Sequence, residues 1–292
     1  MTTPSAPPPP AAPPPAVSGS ARTAIRVVIV AFAVVAMLGT VGLLTAAAIG
    51  VGTTRVISDS RSLPANMRSL TISADDAGAE VRITADPKAT QPRADLRLIG
   101  SSRVDNRLQV VTEADGARLS IGEQAAPWFR WKAGTITVVL PPDLARRLTV
   151  TTTLRAGVVS AQADLDQLIV HNRNGVVRLE GAARRVDVDV RNGSVSTEDP
   201  VTVTESFRAT TVNGDIEAQF NGAPPRVIEA TTRNGDVTIE VAGPGPYMVN
   251  AQADDRHGDT TVTVPQTTNA ATAASQITVR SETGDVEVVQ LS

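Results

Sequence analysis

Hydrophobic and polar residues alternate with period two through the second half of the chain, and the alternation restarts around a recurring glycine. The glycine usually follows asparagine, as in the stretch Thr231–Val241, TTRNGDVTIEV. Asn-Gly between two alternating runs ordinarily predicts a β-hairpin. The phrase recurs at spacings of 18 to 26 residues, however, which is typical of stacked repeats. The recurring glycines are Gly157, Gly175, Gly193, Gly214, Gly235, Gly258 and Gly284.

Each repeat places apolar residues at fixed distances on both sides of its glycine. Val177 and Leu179 lie two and four residues after Gly175, and Leu168 and Val170 lie seven and five residues before it. Because alternate residues of a strand share a face, each repeat predicts two short strands with inward apolar faces, joined by a tight corner. Asparagine and glycine suit the corner because both tolerate positive φ, and stacked asparagines can hydrogen-bond along a column. The asparagines of this column are Asn174, Asn192, Asn213 and Asn234.

The identical phase of the repeats favours a solenoid over a hairpin meander. In a solenoid each coil pairs in parallel with the preceding one, about 4.8 Å away, so that seven coils rise about 34 Å. We expect the coils to stack in sequence order, with like residues above like. Residues 149–292 are therefore predicted to form the β-solenoid repeats. Residues 55–148 show strand patterns without the Asn-Gly phrase and are predicted to form an irregular β-rich cap and the first strands.

The N-terminal part of the chain differs in composition from the repeats. Residues 1–23 are rich in proline and are predicted to form a disordered tail. Residues 24–54 predict a transmembrane helix, inserted through the uncharged residues 27–51. This run is longer than the apolar region of a signal peptide, so retention as an anchor is favoured over cleavage near Ala46–Ala48. Arginines on both sides leave its orientation open, and the long β-rich region favours a C-terminal domain outside the membrane.

Composition argues against several functional classes. The net charge of −3 is unlike that of a strongly basic nucleic-acid-binding protein, and there is no cysteine to form a disulfide. Aromatic residues make up 2% of the chain, too few for the sugar platforms of β-helical polysaccharide lyases and glycosidases. His171 and His257 lie in different repeats without a nucleophile beside them. We expect no enzyme activity, no catalytic residue, no cofactor and no metal.

Two rows of charged residues follow from the repeat. Arginines two residues before the glycine predict a basic column that attracts anionic lipid headgroups or envelope polymers, unless nearby carboxylates pair with them. Aspartates directly after the glycine predict a carboxylate ladder that forms turns, and that binds Ca²⁺ only if other oxygens complete the ligand set. The arginines are Arg155, Arg173, Arg191, Arg233 and Arg256, and the aspartates are Asp215, Asp236, Asp259 and Asp285.

Both tryptophans, Trp128 and Trp131, lie in the stretch PWFRWK at Pro127–Lys132. Tryptophan beside arginine and lysine suits a membrane interface or a partner surface. It equally suits a cap that closes the end of the solenoid. Replacement by alanine would unfold a cap but leave a contact surface folded.

Several stretches resemble a known family. The strand ending TITVVLPP, the stretch LTVTTTLRAGVVSAQ and the recurring RNGVVRLEG, VNGDIEAQF, TRNGDVTIEV and ETGDVEVVQ are similar to a bacterial "putative adhesin" β-solenoid family of unknown function, over roughly residues 66–292. The resemblance implies an all-β fold, a right-handed parallel β-solenoid outside the membrane, and it brings no catalytic residues. The first three repeats depart from the Gly-Asp pair of the family, with Val158, Val176 and Ser194 in place of the aspartate.

We therefore expect a single-pass membrane protein whose extracytoplasmic domain is a non-enzymatic adhesin or envelope-binding module. Its partner would be a cell-envelope polymer or a membrane protein. One alternative is a sensory or regulatory component of a membrane envelope-stress complex, which predicts a co-purifying membrane protein. Another is a self-assembling structural element, which predicts end-to-end polymers of the domain.

Overall fold

The computed structural model describes residues 54–101, 108–121, 133–254 and 256–291. Within these ranges the protein is all-β, with one short helix. None of the described residues belongs to a helix long and apolar enough to span a bilayer. The predicted tail, residues 1–23, and the predicted transmembrane helix, residues 24–54, lie outside the described residues apart from Thr54.

The described strands join into one sheet of 18 strands. Those before the predicted repeats are β1 (Thr54–Ser62), β2 (Ser69–Ala85), β3 (Arg93–Ser101), β4 (Leu108–Thr112), β5 (Gly116–Ile121) and β6 (Ala133–Leu140), followed by the helix α1 (Pro142–Ala145). The strands of the repeats are β7 (Thr149–Ala161), β8 (Leu165–Leu179), β9 (Ala183–Asn192), β10 (Val195–Thr197), β11 (Val203–Asn213), β12 (Ile216–Phe220), β13 (Val227–Asn234), β14 (Val237–Val241), β15 (Met248–Ala253), β16 (Thr260–Val262), β17 (Gln276–Thr283) and β18 (Val286–Gln290).

Neighbouring repeats pair in parallel, as their common phase predicts. On one side of the solenoid β7, β8, β9, β11 and β13 follow one another. On the other side β10 pairs with the end of β8, and β12 and β14 follow. Gly157 stands opposite Gly175, and Asn192 opposite Asn213. The parallel pairing around Gly193, Gly214 and Gly235 confirms the solenoid and excludes a hairpin meander.

The last two coils are exchanged relative to sequence order. Strand β17 lies between β13 and β15, and β18 lies between β14 and β16. The coil of Gly284 is therefore inserted between the coils of Gly235 and Gly258. The expectation that coils stack in sequence order is wrong at this end. Both orders place the same apolar rows over one another, so the hydrophobic pattern does not distinguish them.

Strand β2 already forms a complete coil in front of β7. Its Ala79 stands opposite Gly157, and three residues between Ala74 and Gly78 face one residue of β7. This bulge bends the strand without the glycine that the later corners use, which explains why β2 lacks the Asn-Gly phrase.

Antiparallel strands close the N-terminal end of the solenoid. Strands β5 and β6 pair in parallel with the two halves of β2. Strand β4 lies antiparallel to β5, and β3 lies antiparallel to β6. The change of strand direction interrupts the parallel ladder of hydrogen bonds. A further coil therefore cannot add to this end by the parallel pairing that joins the repeats.

The inward faces predicted from the repeat form the core. Leu168, Val170, Val177 and Leu179 are each at most 4% exposed. Burial of one such side chain contributes about 1.5–3 kcal/mol relative to exposure. The stacked aliphatic rows are therefore the main stabilising feature of the solenoid.

The terminal coil departs from this burial pattern. Its Thr260 is exposed and its Val262 is half-buried, although both occupy predicted inward positions. Because β16 pairs only with β18 among the described strands, no further coil covers these residues. Tyr247, just before β15, is fully buried and donates a hydrogen bond from its hydroxyl to the Ala242 carbonyl, 2.9 Å away.

Candidate binding site at the glycine corner

The recurring glycines lie along one edge of the solenoid, which we call the glycine corner. Gly175 has a φ of 137°, a region that residues with a side chain rarely adopt. A Cβ atom at Gly175 would also overlap the carbonyl oxygen of Gly157 in the neighbouring coil. Both the backbone conformation and the close stacking therefore require glycine at this position.

The corner is a bend within a strand in the first coils. Strands β7 and β8 run through Gly157 and Gly175, where the sequence predicted two short strands each. At Gly235 the strand does end. There the N–H of Asp236 donates to the Asp215 carboxylate at 2.9 Å, so a side chain replaces the backbone carbonyl as acceptor. The strand thus runs on where valine follows Gly157 and Gly175, and it ends before Gly235, which aspartate follows.

The predicted asparagine column is confirmed as a ladder of side-chain amides. Each Nδ2 donates to the Oδ1 of the asparagine in the preceding coil, over 2.9 Å for Asn192 to Asn174 and 2.7 Å for both Asn213 to Asn192 and Asn234 to Asn213. None of the described non-glycine residues has a positive φ, so the asparagines do not occupy the left-handed region. Their contribution is the amide ladder, and the glycines alone supply the unusual backbone conformation.

Three of the predicted arginines come together on consecutive coils. Arg155, Arg173 and Arg191 occupy equivalent positions on β7, β8 and β9. All three side chains are exposed. No ion pair joins them to a carboxylate in the part of the chain that the structure describes, in contrast to the alternative in which neighbouring carboxylates pair with them. Their positive charges therefore remain available to a ligand.

The three arginines line a groove with a volume of about 340 Å³, which we call the arginine groove. His171 and Asp189 lie side by side in its lining, because β8 and β9 pair them directly. Asn172 also lines the groove but is 4% exposed, and its Nδ2 donates to the Gly157 carbonyl at 3.2 Å. The groove therefore combines a basic rim with one carboxylate.

The other two predicted arginines lie apart from the groove. Arg233 is on β13 and its Nε lies 3.2 Å from the Glu282 carboxylate of the neighbouring coil. Arg256 belongs to the terminal coil and lines a separate depression of about 610 Å³ together with Arg280 and Glu282. At the equivalent position between Arg191 and Arg233 stands Val212. The predicted basic column is thus interrupted after its third arginine.

The predicted aspartate ladder is present, in the order imposed by the exchanged coils. The Oδ1 atom of each aspartate accepts the backbone N–H of the next, over 2.9 Å from Asp236 to Asp215, 2.8 Å from Asp285 to Asp236 and 2.8 Å from Asp259 to Asp285. This supports the turn-forming interpretation. Within the described ranges no three histidine, cysteine or acidic side chains converge as metal ligands.

An ion-pair cluster that the sequence pattern did not single out lies at the far end of the same face. The Arg184 guanidinium donates to Asp166 at 2.7 and 2.9 Å and to Glu205 at 2.9 Å, and Arg185 donates to Glu205 at 2.6 Å. The hydrogen bond from Arg184 lowers the pKa of Asp166, and those from Arg185 and Arg184 lower the pKa of Glu205.

A second ion pair on this face continues the alternation of charge between coils. Arg208 donates to Glu229 at 2.8 Å, and this hydrogen bond lowers the pKa of Glu229. Asp187, Arg208 and Glu229 are register partners on β9, β11 and β13, one repeat apart. Alignment of the repeats on their glycines places residues of opposite charge at equivalent positions. This pattern could have predicted the ion pairs from the sequence.

The remaining predicted residues do not complete a catalytic arrangement within the described residues. His171 lies in the arginine groove, whereas His257 lies in the terminal coil, with its Nδ1 atom 3.9 Å from Asp254. Trp128 and Trp131 lie outside the described residues, so both interpretations of their stretch remain predictions.

The fold and the corner together define a parallel β-solenoid with a groove lined by arginines on its edge. Residues 159–289 match the model of the family described as Toastrack DUF4097. The predicted resemblance to a "putative adhesin" family of unknown function is thereby confirmed. No curated protein matches the chain.

Several solved structures resemble the chain at low identity. A "putative adhesin" from Bacteroides fragilis is 15% identical, with a TM-score of 0.49, 81% of this chain covered and 97% of that one. A "putative cell adhesion protein" from Clostridium sporogenes is 9% identical, with a TM-score of 0.35 and coverage of 81% and 100%. A "putative adhesin" from Parabacteroides distasonis is 12% identical, with a TM-score of 0.38 and coverage of 80% and 97%.

Proposed function

We propose that this protein is a membrane-anchored, extracytoplasmic and non-enzymatic module that binds anionic material of the cell envelope through the arginine groove. The observation that carries the proposal is the groove itself. Arg155, Arg173 and Arg191 present their guanidinium groups on three consecutive coils without a described carboxylate partner. Guanidinium groups bind carboxylates and phosphates through charge-assisted hydrogen bonds, so both are suitable ligand groups.

The rigidity of the solenoid favours binding over catalysis. The amide ladder at the corner and the paired strands fix the backbone on which the arginines stand. A preorganised row loses less conformational freedom when a ligand binds than a flexible loop would. The side chains that line the groove are polar or charged apart from Leu154, unlike those of the mostly apolar clefts that enclose small substrates.

The anchored location rests on the sequence. The uncharged apolar run of residues 27–51 is long enough to cross a bilayer. An anchor before a rigid solenoid suits a module that presents its edge to the envelope. No observation on the described residues favours the regulatory alternative.

The binding proposal is tested with the full-length chain in detergent. The probes are polygalacturonate, long-chain polyphosphate and neutral dextran. The triple variant Arg155→Gln, Arg173→Gln, Arg191→Gln should lose at least about tenfold in affinity for whichever polyanion binds, since three exposed charge contacts of up to about 1 kcal/mol are removed. Dextran should not bind either protein.

A matched triple variant separates the groove from net charge. Arg68→Gln, Arg147→Gln, Arg226→Gln removes three exposed arginines from other parts of the surface. It should bind like the wild type. The proposal would be overturned if both triple variants lost the same affinity. It would also be overturned if the variant that lacks Arg155, Arg173 and Arg191 still bound the polyanion. Capture of a membrane protein through the groove instead would favour the regulatory alternative.

The location is tested by cysteine labelling in intact cells, which is clean because the chain has no cysteine of its own. Thr261→Cys places one thiol at an exposed position of β16. A membrane-impermeant maleimide should label it in intact cells. Labelling only after lysis would overturn the extracytoplasmic assignment without affecting the binding proposal.

A further inference from the structure

We infer that a reversal of charge along the glycine corner limits the arginine groove to a short segment of a linear polyanion, and that Val212 and Asp215 set this limit. The inference rests on the proposed function, since it concerns the ligand of the same groove. It names a substrate class: an unbranched polymer with one carboxylate or phosphate on each repeating unit.

The shape of the arginine row defines the direction of the ligand. Arg155, Arg173 and Arg191 are displaced from one another by one coil each, along the axis of the solenoid. Adjacent parallel strands are about 4.8 Å apart, so the row extends about 10 Å. A single phosphate or carboxylate cannot contact the whole row, whereas a chain that runs parallel to the axis can contact all three guanidinium groups.

The row ends at the fourth coil. Val212 lies between Arg191 and Arg233 in the strand register and supplies no charge. Beyond it Arg233 is already paired with Glu282, at 3.2 Å. The uninterrupted row of arginines therefore covers three coils.

The other side of the corner changes at the same coil. Directly after the glycine stand Val158, Val176 and Ser194 in the three coils of the arginine groove. In the coils that follow, this position holds aspartate, starting with Asp215. Hydrogen bonds from Asp236 and Asp285 keep these carboxylates in a row, with the Oδ1 atoms turned to the neighbouring coil.

Electrostatics then sets the length of the bound segment. A polyanion that continues past Arg191 along the corner meets the exposed aspartate row, and like charges repel. Its next charged units must leave the surface. The groove thus selects about three charged units, and longer chains gain little further affinity.

The inference is tested with the full-length chain and size-defined oligogalacturonates, with short polyphosphates as the phosphate counterpart. In the wild type, affinity should rise with oligomer length and level off at about three to four charges. The triple variant Val212→Arg, Asp215→Asn, Asp236→Asn should move this plateau to longer oligomers and raise affinity for them about fivefold. Asparagine retains the Oδ1 acceptor, so the hydrogen bonds of the ladder are preserved.

The control variant carries the same change of aspartates at the far end of the ladder. Asp285→Asn, Asp259→Asn should leave the plateau unchanged. The proposed function stands if the arginine-to-glutamine triple variant of the groove loses binding. The present inference fails if, at the same time, Val212→Arg, Asp215→Asn, Asp236→Asn leaves the plateau at the same oligomer length. Binding only to anionic vesicles, or salt-sensitive pairing of two copies through the corner, would also overturn it.

Discussion

Single residues at the glycine corner combine backbone and side-chain requirements. Gly175 provides a φ of 137° and leaves space for the carbonyl of Gly157. Asn174 next to it adds an amide that accepts a hydrogen bond from Asn192 at 2.9 Å. The pair thus fixes both the bend and the distance between coils.

We predict that Gly175→Ala is far more destabilising than Gly222→Ala. Both glycines have positive φ, at 137° and 62°. At Gly222 an added Cβ meets no atom within 4 Å, so the cost is the backbone strain of about 1–2 kcal/mol. At Gly175 the overlap with Gly157 adds to the strain, and we expect a loss of about 3 kcal/mol or more. Urea unfolding of the two variants measures the difference, and equal losses would contradict the stacking argument.

At the scale of strands, ion pairs join consecutive coils on the outer face. Arg184 on β9 connects Asp166 on β8 with Glu205 on β11, and Arg208 on β11 pairs with Glu229 on β13. These side chains are exposed or half-buried, so each pair contributes modestly. Together they link four strands that lie side by side.

We predict that this cluster makes stability sensitive to acid. The pKa values of Asp166 and Glu205 are lower in the folded state, so their stabilising contribution is present above the unfolded pKa values of about 4. It is lost as pH falls through the lowered folded values. The double variant Asp166→Asn, Glu205→Gln should melt a few degrees below the wild type at neutral pH. The two melting temperatures should converge as the pH falls below the lowered pKa values of the folded state.

The exposed pair of Arg146 and Asp143 in α1 provides the comparison. The Asp143 side chain is 95% exposed. Asp143→Asn should therefore leave the melting temperature close to that of the wild type at every pH. A constant difference between the double variant and the wild type from neutral pH to below the lowered pKa values of Asp166 and Glu205 would show that the cluster does not act through these carboxylates.

At the scale of the whole molecule, the chain passes over one coil position and returns to fill it. Strands β15 and β16 form the terminal coil, and the segment from Thr263 to Ser275 leads back to β17. The inserted coil then has parallel neighbours on both sides. The C-terminal residues thereby contribute to the interior of the stack and not to its open end.

Engineered disulfides test this order. Thr238→Cys with Glu287→Cys joins register partners on β14 and β18 and should form a disulfide on mild oxidation. Thr238→Cys with Thr261→Cys joins β14 to β16, which are two coils apart, and should not, because about 10 Å exceeds disulfide geometry. Stacking in sequence order gives the opposite result. Ser196→Cys with Glu217→Cys, a register pair of β10 and β12, is the positive control.

The sequence by itself determined the repeat, the parallel solenoid, the inward rows and the asparagine column. These features depend on how many residues separate each position from the glycine of its own repeat. That number can be read directly from the sequence. It also located the arginine and aspartate rows, because stacking coils of one phase brings equivalent positions together. Leu168 and Val177, chosen from spacing alone, are fully buried.

Only the tertiary structure decided which coil lies beside which. Repeats of the same phase are interchangeable for the hydrophobic pattern, so the place of Gly284 between Gly235 and Gly258 was not readable from it. The same holds for β2, which enters the stack through a bulge instead of a glycine. Coil order in turn determines which charges are neighbours. It pairs Arg233 with Glu282 of the inserted coil, because an ion pair depends on the distance between coils, which local spacing does not encode.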